Sequence, residues 1–372
     1  MKRIAKMLPL LLLLLALGGA AAYAWYSIEK PFQGFGPEGV FVTVPHGASS
    51  RAVSHILQRE GVIRSAWAFE LYSRRHAKRS LQAGEYFFPG AVSGKDVFWT
   101  IANGKVYEQP FTVREGETMY EIAQELEQDK FMSAEDFLQA ASNPGLVHDL
   151  APDAKTLEGF LYPATYNLPR HPVPHELTSE MVQKFREEWT HIADPATEGT
   201  GVANGRPIYS IVTLASLVER ETPKPEERPL VAGVFENRLR KGMLLQCDPT
   251  VIYALEQTDS YEGTLTTKDL HMDSPYNTYV HAGLPPGPIA NPGTVSLHAA
   301  LEPSQTGYLY FVANTQGGHF FSSTLEEHNR NVVRYHRLLA GLPADPPPPP
   351  PKPAVHKKKT QTQTKRRKGT AR

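Results

Sequence analysis

Apolar residues recur every three or four positions over long stretches of this chain, which is the spacing of one face of an α-helix. Between these stretches, short apolar segments bounded by Gly or Pro predict β-strands. The pattern predicts helices at 50–60, 65–77, 174–192, 207–222, 226–241, 250–257 and 326–340, and strands at the start of 40–49, at 81–88, 309–314 and 318–323. Strands and helices that do not alternate regularly along the chain predict an α+β fold.

The first part of the chain after residue 40 has a pattern that returns once. Residues 40–88 predict a compact module of strand, helix, helix and strand. A strand, a glycine turn and a helix recur at 111–128, where Gly116 takes the place of Gly47. The same alignment pairs Val53 with Ile122 and Leu57 with Leu126, which indicates a weak internal repeat.

The amino terminus carries a membrane signal. Residues 7–28 are 22 uncharged residues that follow Lys2, Arg3 and Lys6. Roughly 20 apolar residues span a bilayer as a helix, and preceding basic residues favour an amino terminus in the cytoplasm. We therefore expect residues 1–6 in the cytoplasm and an anchor at 7–28. A cleaved signal peptide is the alternative, because small residues near Ala20 offer cleavage sites. Both interpretations place the body outside the cytoplasm.

The charge is zero overall but unevenly distributed. Residues 352–372 contain nine Lys or Arg and no acidic residue, which leaves the rest of the chain with 30 basic and 39 acidic residues. We expect the Pro-rich basic tail at 343–372 to be disordered, and either simply solvated or attracted to anionic envelope polymers or membrane. The predicted topology argues against nucleic acid as a partner. The single Cys247 excludes an intramolecular disulfide and a cysteine-cluster metal site.

One acidic residue interrupts the apolar helix at 207–222. Ile211, Ala215 and Glu219 are spaced at i, i+4 and i+8 and therefore share one helix face. Apolar surroundings raise the pKa of a carboxyl group, and a raised pKa suits a general acid. The alternative is a helix-end glutamate paired with Arg220 or Arg228.

Five longer motifs resemble the YceG-like family of endolytic murein transglycosylases. They are LEGFLYPATY (157–166), LASLVERET (214–222), VFENRLRKGMLLQCDPTVIYAL (234–255), SPYNTYVHAGLPPGPIANPG (274–293) and LYFVANTQGGHFFSSTLEEHNRNV (309–332). They occur in the family's order and the resemblance covers roughly residues 40–340. Cys247 and Tyr162 depart from the usual pattern, and the basic tail extends beyond it.

The resemblance implies a single-pass inner-membrane protein with an extracytoplasmic body. It implies a spacer and LysM-like module at 29–109 and a catalytic domain at 110–342. The implied substrate is the glycan strand of nascent peptidoglycan, cleaved between N-acetylmuramic acid and N-acetylglucosamine without water. Glu219 matches the catalytic glutamate, which would act first as acid and then as base while a 1,6-anhydro ring closes. The resemblance further implies a role in ending strand elongation beside peptidoglycan synthases, and no cofactor.

Other polar residues in these motifs are candidates for substrate binding. They are Gln246, Asp248, Tyr276, Asn277 and Tyr279. Asp248 fits equally well as the N-cap of the helix at 250–257. Glu158 and Glu302 are candidate partners behind the catalytic residue. His281, His319 and His328 match no recognised ligand spacing, so we expect no metal site.

Two other functions stay open at this point. A hydrolytic muramidase would use Glu219 as acid and a second carboxylate, such as Asp248, to activate water. A non-catalytic scaffold would bind glycan and organise wall-synthesis enzymes.

Overall fold

The computed structural model describes residues 2–193, 200–258 and 260–344. They form a mixed α+β structure, as predicted, whose strands pair into four two-stranded antiparallel sheets within the described residues. The chain divides into two compact units, of which the first ends at Thr306 and the second begins at Gly307. The predicted domain boundary at residue 110 lies inside the first unit and stays a prediction.

The first helix, α1 (Lys2–Glu29), is long and apolar enough from Pro9 onward to cross a membrane. Its leucines between residues 10 and 17 are exposed, whereas Ser27 and Ile28 are buried. The helix is thus compatible with a single-pass membrane anchor, and its last turn packs against the module that follows.

That module has the predicted order of strand, helix, helix and strand. Its elements are β1 (Val40–Val44), α2 (Ser50–Arg59), α3 (Ala66–Arg75), β2 (Gly84–Phe88) and a further helix, α4 (Gly94–Ala102). β1 pairs antiparallel with β2, with Val42 opposite Tyr86. Ser49, Ser65 and Ser93 cap the three helices by accepting a backbone N–H. The sequence pattern did not predict α4, and the LysM-like identity of the module stays a prediction.

The same order of elements occurs a second time, which confirms the repeat. The elements are β3 (Gln109–Thr112), α5 (Met119–Gln128), α6 (Ala134–Ala141) and β4 (Thr165–Leu168). β3 pairs antiparallel with β4, with Phe111 opposite Tyr166. The matched glycines Gly47 and Gly116 have φ of +71° and +84°, a conformation that favours glycine, at the turn between strand and helix.

Helices make up most of the remainder of the first unit. They are α7 (Pro174–Ile192), α8 (Ile208–Glu221), α9 (Arg228–Arg240), α10 (Asp248–Glu256) and α11 (Thr294–Leu301), with a small hairpin of β5 (Val202–Ala203) and β6 (Arg206–Pro207) before α8. α8 is the central helix, because α9, α10 and α11 all pack against it. Every residue from Ile211 to Glu219 is buried. The predictions for α7 and α8 are confirmed to within a residue.

The second unit contains β7 (Tyr310–Ala313), β8 (His319–Ser322) and α12 (Leu325–Leu339). β7 and β8 form an antiparallel hairpin. All three elements were predicted, but β7 is only half-buried and not the buried strand that its apolar sequence suggested. The predicted basic tail lies outside the described residues from residue 345 onward.

Candidate active site

Glu219 lies in the last turn of α8 with its carboxylate held from two sides. Oε1 accepts a hydrogen bond from Arg228 Nη2 at 2.5 Å, and Oε2 accepts one from the Gly293 N–H at 3.0 Å. The side chains of Glu219 and Arg228 are only 4% and 6% exposed. Of the two arginines that the sequence left open, Arg228 is therefore the partner, whereas Arg220 donates to the Gly116 carbonyl.

Opposing effects act on the pKa of Glu219. Burial raises the pKa, while the Gly293 N–H, the Arg228 charge and the Ser296 hydroxyl lower it. Burial is the largest effect, so the pKa of Glu219 lies above its ordinary value. The carboxyl group can therefore hold a proton more readily than an exposed glutamate, and a cation stands ready to stabilise the charge once that proton is transferred.

A second carboxylate, Glu115, belongs to the same group of charges. Its Oε2 lies 3.4 Å from Arg228 Nη1, so that Arg228 bridges Glu115 and Glu219. Glu115 is about half exposed, and its Oε1 lies 2.0 Å from where a Cβ on Gly293 would stand. Glu115 comes from the glycine turn of the second repeat, and the adjoining Gly116 lies against the Glu219 side chain. Glu115 was not predicted from the sequence, and only the repeated turn could have indicated it.

Glu158, a candidate partner in the sequence, is the centre of a separate buried network. Its carboxylate accepts hydrogen bonds from the Met119 N–H at 3.0 Å, Asn291 Nδ2 at 2.9 Å and the Tyr253 hydroxyl at 3.2 Å. Burial is the main cause that raises the pKa of Glu158 to about 8. The start of α5, the helix α10 and the loop before α11 are distant in sequence, and all three donate to the Glu158 carboxyl group.

Asn291 links this network to Glu219. Its Oδ1 accepts the N–H groups of Gly159 and Leu161, and its own N–H donates to the Glu117 carbonyl. Two residues later the Gly293 N–H donates to Glu219. Asn291 therefore fixes the loop that positions one of the two donors on the candidate catalytic carboxyl.

Gly159 shows how tightly this loop is packed. Its φ is +86°, and a Cβ there would lie 2.5 Å from Pro288 and 2.8 Å from Val212. A larger residue would push the loop away from α8. The glycine of the LEGF motif is therefore required by packing, and the motif holds the site from behind.

Gln246, Asp248 and Tyr279 lie together at the start of α10. Tyr279 donates its hydroxyl to Asp248 Oδ1, and Gln246 is exposed with φ of +51° and its N–H on the Thr278 carbonyl. Burial and the Asp248 carboxylate raise the pKa of Tyr279. The alternative of an Asp248 N-cap is wrong, because α10 begins at Asp248 and its N-cap residue is Cys247.

Tyr276 and Asn277 occupy different environments. Tyr276 packs its ring on Tyr253, with centroids 5.0 Å apart, and burial raises its pKa to about 12. Asn277 is fully buried, and its amide donates to the carbonyls of Leu270 and Met272. Asn277 can therefore act on a ligand only through the loop that it holds.

The remaining candidates do not join this site. Glu302 is the C-cap of α11, at the opposite end of that helix from Gly293. His281 lies 3.4 Å from Asp273 in the first unit, whereas His319 and His328 belong to the second. Within residues 2–193, 200–258 and 260–344, no three His, Cys, Asp or Glu side chains are grouped so that they could hold a metal ion.

Comparison with known proteins agrees with this arrangement of motifs. The chain is 33% identical to the endolytic murein transglycosylase of Bacillus subtilis (strain 168), over 86% of this chain and 91% of that protein. It is 28% identical to the endolytic murein transglycosylase of Streptococcus pneumoniae serotype 2 (strain D39 / NCTC 7466), over 87% of this chain and 63% of that protein. The 2.6 Å crystal structure of a YceG-like protein from Listeria monocytogenes superposes with a TM-score of 0.50 at 34% identity, covering 79% of this chain and 99% of that one.

The family model of the YceG-like family matches residues 42–334, which include nearly all of both repeats, α8 with Glu219, the β7–β8 hairpin and most of α12. The chain therefore belongs to the YceG-like family.

Proposed function

We propose that this chain is an endolytic murein transglycosylase, a lyase that cleaves peptidoglycan glycan strands with Glu219 as its acid and base. One observation carries the proposal: the family's glutamate is buried at the end of α8, has a raised pKa and lies between a cation and a backbone N–H. Relatives that match along most of this chain are named for the same activity.

In the first step, protonated Glu219 donates its proton to the glycosidic oxygen between N-acetylmuramic acid and N-acetylglucosamine. The bond from C1 to that oxygen breaks, the N-acetylglucosamine leaves with a new hydroxyl group, and positive charge develops at C1. The Glu219 carboxylate that forms is stabilised by Arg228 and the Gly293 N–H.

In the second step, the same carboxylate takes the proton of the muramoyl C6 hydroxyl, whose oxygen attacks C1. This closes the 1,6-anhydro ring, returns the proton to Glu219 and consumes no water. One carboxyl group can therefore serve both steps, whereas an ordinary glycosidase needs two at defined separation. The chemistry requires no cofactor.

Other parts of the chain would bind the glycan strand and hold the enzyme where strands are made. Tyr276, Tyr279 and the exposed Gln246 place aromatic faces and an amide on loops beside α10, which suits sugar binding. The strand–helix–helix–strand module within residues 29–109 is the proposed LysM-like grip on glycan. α1 would anchor the protein in the inner membrane with the body outside the cytoplasm, where peptidoglycan synthases supply nascent strands whose elongation it ends.

A hydrolytic muramidase is the competing mechanism. Such an enzyme needs a second carboxylate that activates water. Asp248 is engaged by Tyr279, whereas Glu115 shares Arg228 with Glu219 and is half exposed. Glu115 is therefore the residue through which hydrolysis would proceed, and product analysis separates the two mechanisms.

The test is mass spectrometry of the fragments released from purified glycan strands by the full-length chain in detergent. The full chain is needed because Ser27 and Ile28 are buried in the first module. Glu219→Gln keeps the shape of the side chain and is the test variant. Glu221→Gln, two residues along the same helix, is the matched control.

We expect anhydromuramoyl ends from the wild type and from Glu221→Gln, and a loss of about 10²–10⁴-fold in Glu219→Gln, the contribution of a general acid. Reducing ends would overturn the transglycosylase and establish hydrolysis. Strand binding without cleavage by the wild type would leave the scaffold function instead.

A further inference from the structure

The end of α1 is built into the first module. Ser27 and Ile28 are buried, and Ile28 belongs to the core that also contains Leu57 and Phe98. Gly94 at the start of α4 allows this approach, because a Cβ there would lie 3.1 Å from the Ile28 side chain. The module therefore has a fixed position relative to the end of the apolar helix.

Exposed aromatic residues mark where this helix would leave a bilayer. Tyr23, Trp25 and Tyr26 are between 45% and 60% exposed near the end of α1. Tyr and Trp at the ends of spanning helices lie at the level of the lipid headgroups. If α1 is the anchor, the membrane surface lies within a turn or two of the first module.

α3 runs beside the end of α1, toward the level of its exposed aromatic residues. Two residues before α3 begins, Arg64 donates to the carbonyls of Lys30 and Pro31 and lies 4.6 Å from the centre of the Tyr26 ring. Farther along, Leu71, Tyr72 and Arg75 of α3 line a groove of about 350 Å³ with Ala24, Trp25, Ile28 and Glu29 of α1. The carboxyl end of α3 therefore lies on the side of the module from which α1 arrives.

The exposed surface of α3, from its first turn to just past its carboxyl end, is both apolar and basic. Trp67 and Leu71, one turn apart, are each 52% exposed. Residues 71–80 contain four Arg or Lys and no acidic residue. Arg74 pairs with Glu70 at 2.6 Å, whereas Arg75, Lys78 and Arg79 are exposed around the end of the helix. We define the α3 patch as Trp67, Leu71, Arg75, Lys78 and Arg79.

We propose that the α3 patch docks on the surface of a bilayer that contains anionic phospholipid. Trp67 and Leu71 enter the headgroup region, and the three basic side chains contact lipid phosphates. Amphipathic surfaces of this composition bind at membrane interfaces by combining apolar burial with attraction to anionic lipid. The proposal rests on α1 as the anchor, and it adds a second contact that would fix the orientation of the first module at the membrane.

The test uses the full-length chain in lipid nanodiscs of phosphatidylcholine alone or mixed with phosphatidylglycerol. An environment-sensitive fluorophore is attached at Leu71→Cys, and quenching by lipids that carry a headgroup-level quencher reports contact. His55→Cys, exposed on α2, is the matched probe position. The native Cys247 is buried and stays unlabelled.

Charge is tested in the labelled protein by replacing Arg75, Lys78 and Arg79 with Gln. The matched control replaces Arg51, Lys105 and Lys130, which are exposed outside the patch and carry the same total charge. We expect strong quenching at Leu71→Cys in anionic discs, little at His55→Cys, and a fall in the docking equilibrium of about tenfold or more when the patch is neutralised. The control replacement should leave quenching unchanged.

The outcomes separate the two proposals. A chain that does not co-elute with the discs would overturn the anchor and the docking surface together. Co-elution with no more quenching at Leu71→Cys than at His55→Cys would overturn the docking surface alone. Equal quenching in neutral and anionic discs, unaffected by neutralisation, would also overturn it, because anionic lipid would not be the partner.

Discussion

The surroundings of Glu219 and of Glu158 share one kind of hydrogen-bond donor and differ in their charge. Each glutamate accepts a backbone N–H at the start of a helix, from Gly293 at α11 and from Met119 at α5. Glu219 also meets the guanidinium of Arg228, whereas the other donors to Glu158 are the neutral Asn291 and Tyr253.

A raised pKa therefore does not by itself identify a catalytic carboxyl. Burial raises the pKa of Glu158 to about 8, yet Glu158 is only 2% exposed and its oxygens are occupied by structural donors. The Glu219 side chain is buried as well, at 4% exposed, but it has a cation that can compensate the charge left by proton transfer. A cation placed beside the carboxyl group, together with a raised pKa, distinguishes the candidate active site.

Replacing Arg228 with Met tests this comparison with the largest expected effect, because it leaves Glu219 with neutral donors only. We expect kcat/KM for strand cleavage to fall by about 10²–10³-fold, since the carboxylate formed in the first step loses its cation. The pKa of Glu219 should rise further, because the Arg228 charge lowers it. Rates of fragment release across a pH series measure both effects.

Arg240→Met is the matched control for Arg228. Arg240 is exposed at the other end of the same helix, so its loss should leave kcat/KM within a few fold of the wild type. Comparable losses in the two variants would mean that Arg228 acts through the stability of α9 and not through Glu219.

Glu158→Ala should destabilise the fold more than it alters the chemistry. It leaves the Met119 N–H, the Asn291 amide and the Tyr253 hydroxyl without their acceptor, and we expect a loss of about 2–4 kcal/mol in the free energy of unfolding. Glu158→Gln keeps one acceptor oxygen and should lose less. Urea denaturation of the three proteins measures the differences, and equal stability of wild type and Glu158→Ala would show that the network is not structural.

The pH dependence of stability follows from the raised pKa of Glu158. A carboxyl whose pKa is about 4.3 unfolded and about 8 folded binds its proton more tightly in the native state. Its contribution is complete below about pH 4 and is lost as the pH rises toward 8, with a slope of up to about 1.4 kcal/mol per pH unit. Denaturation at several pH values should show this fall in the wild type and a flatter profile in Glu158→Gln.

Local pattern was sufficient for much of the fold and for one residue of the site. Helical spacing predicted α7 and α8. The i, i+4, i+8 series placed Glu219 on the same face of α8 as Ile211 and Ala215, and all three are buried. α11 was missed because its sequence, TVSLHAAL, is apolar nearly all round and shows no period. Glu115, through Arg228, and the Gly293 N–H reach Glu219 only by tertiary contacts across about a hundred residues and about seventy. No local pattern could therefore select them or decide between Arg220 and Arg228.

Glu115→Gln should have the smallest effect on activity. It tests how much the charge of Glu115 contributes to the pKa of Glu219. The Glu115 carboxylate raises the pKa of Glu219 and shares Arg228 with it. Without that charge, Arg228 is left to Glu219 alone, so the pKa of Glu219 should fall. Because the first step needs protonated Glu219, activity should be lost at lower pH than in the wild type, by less than about one pH unit.

Glu125→Gln, in the same repeat but paired with Arg114, is the control and should keep the wild-type profile. A shift to higher pH in Glu115→Gln would reverse the assigned sign. Loss of activity at every pH would instead make Glu115 a reacting group and favour hydrolysis, because a residue that only tunes a pKa moves the profile without abolishing it.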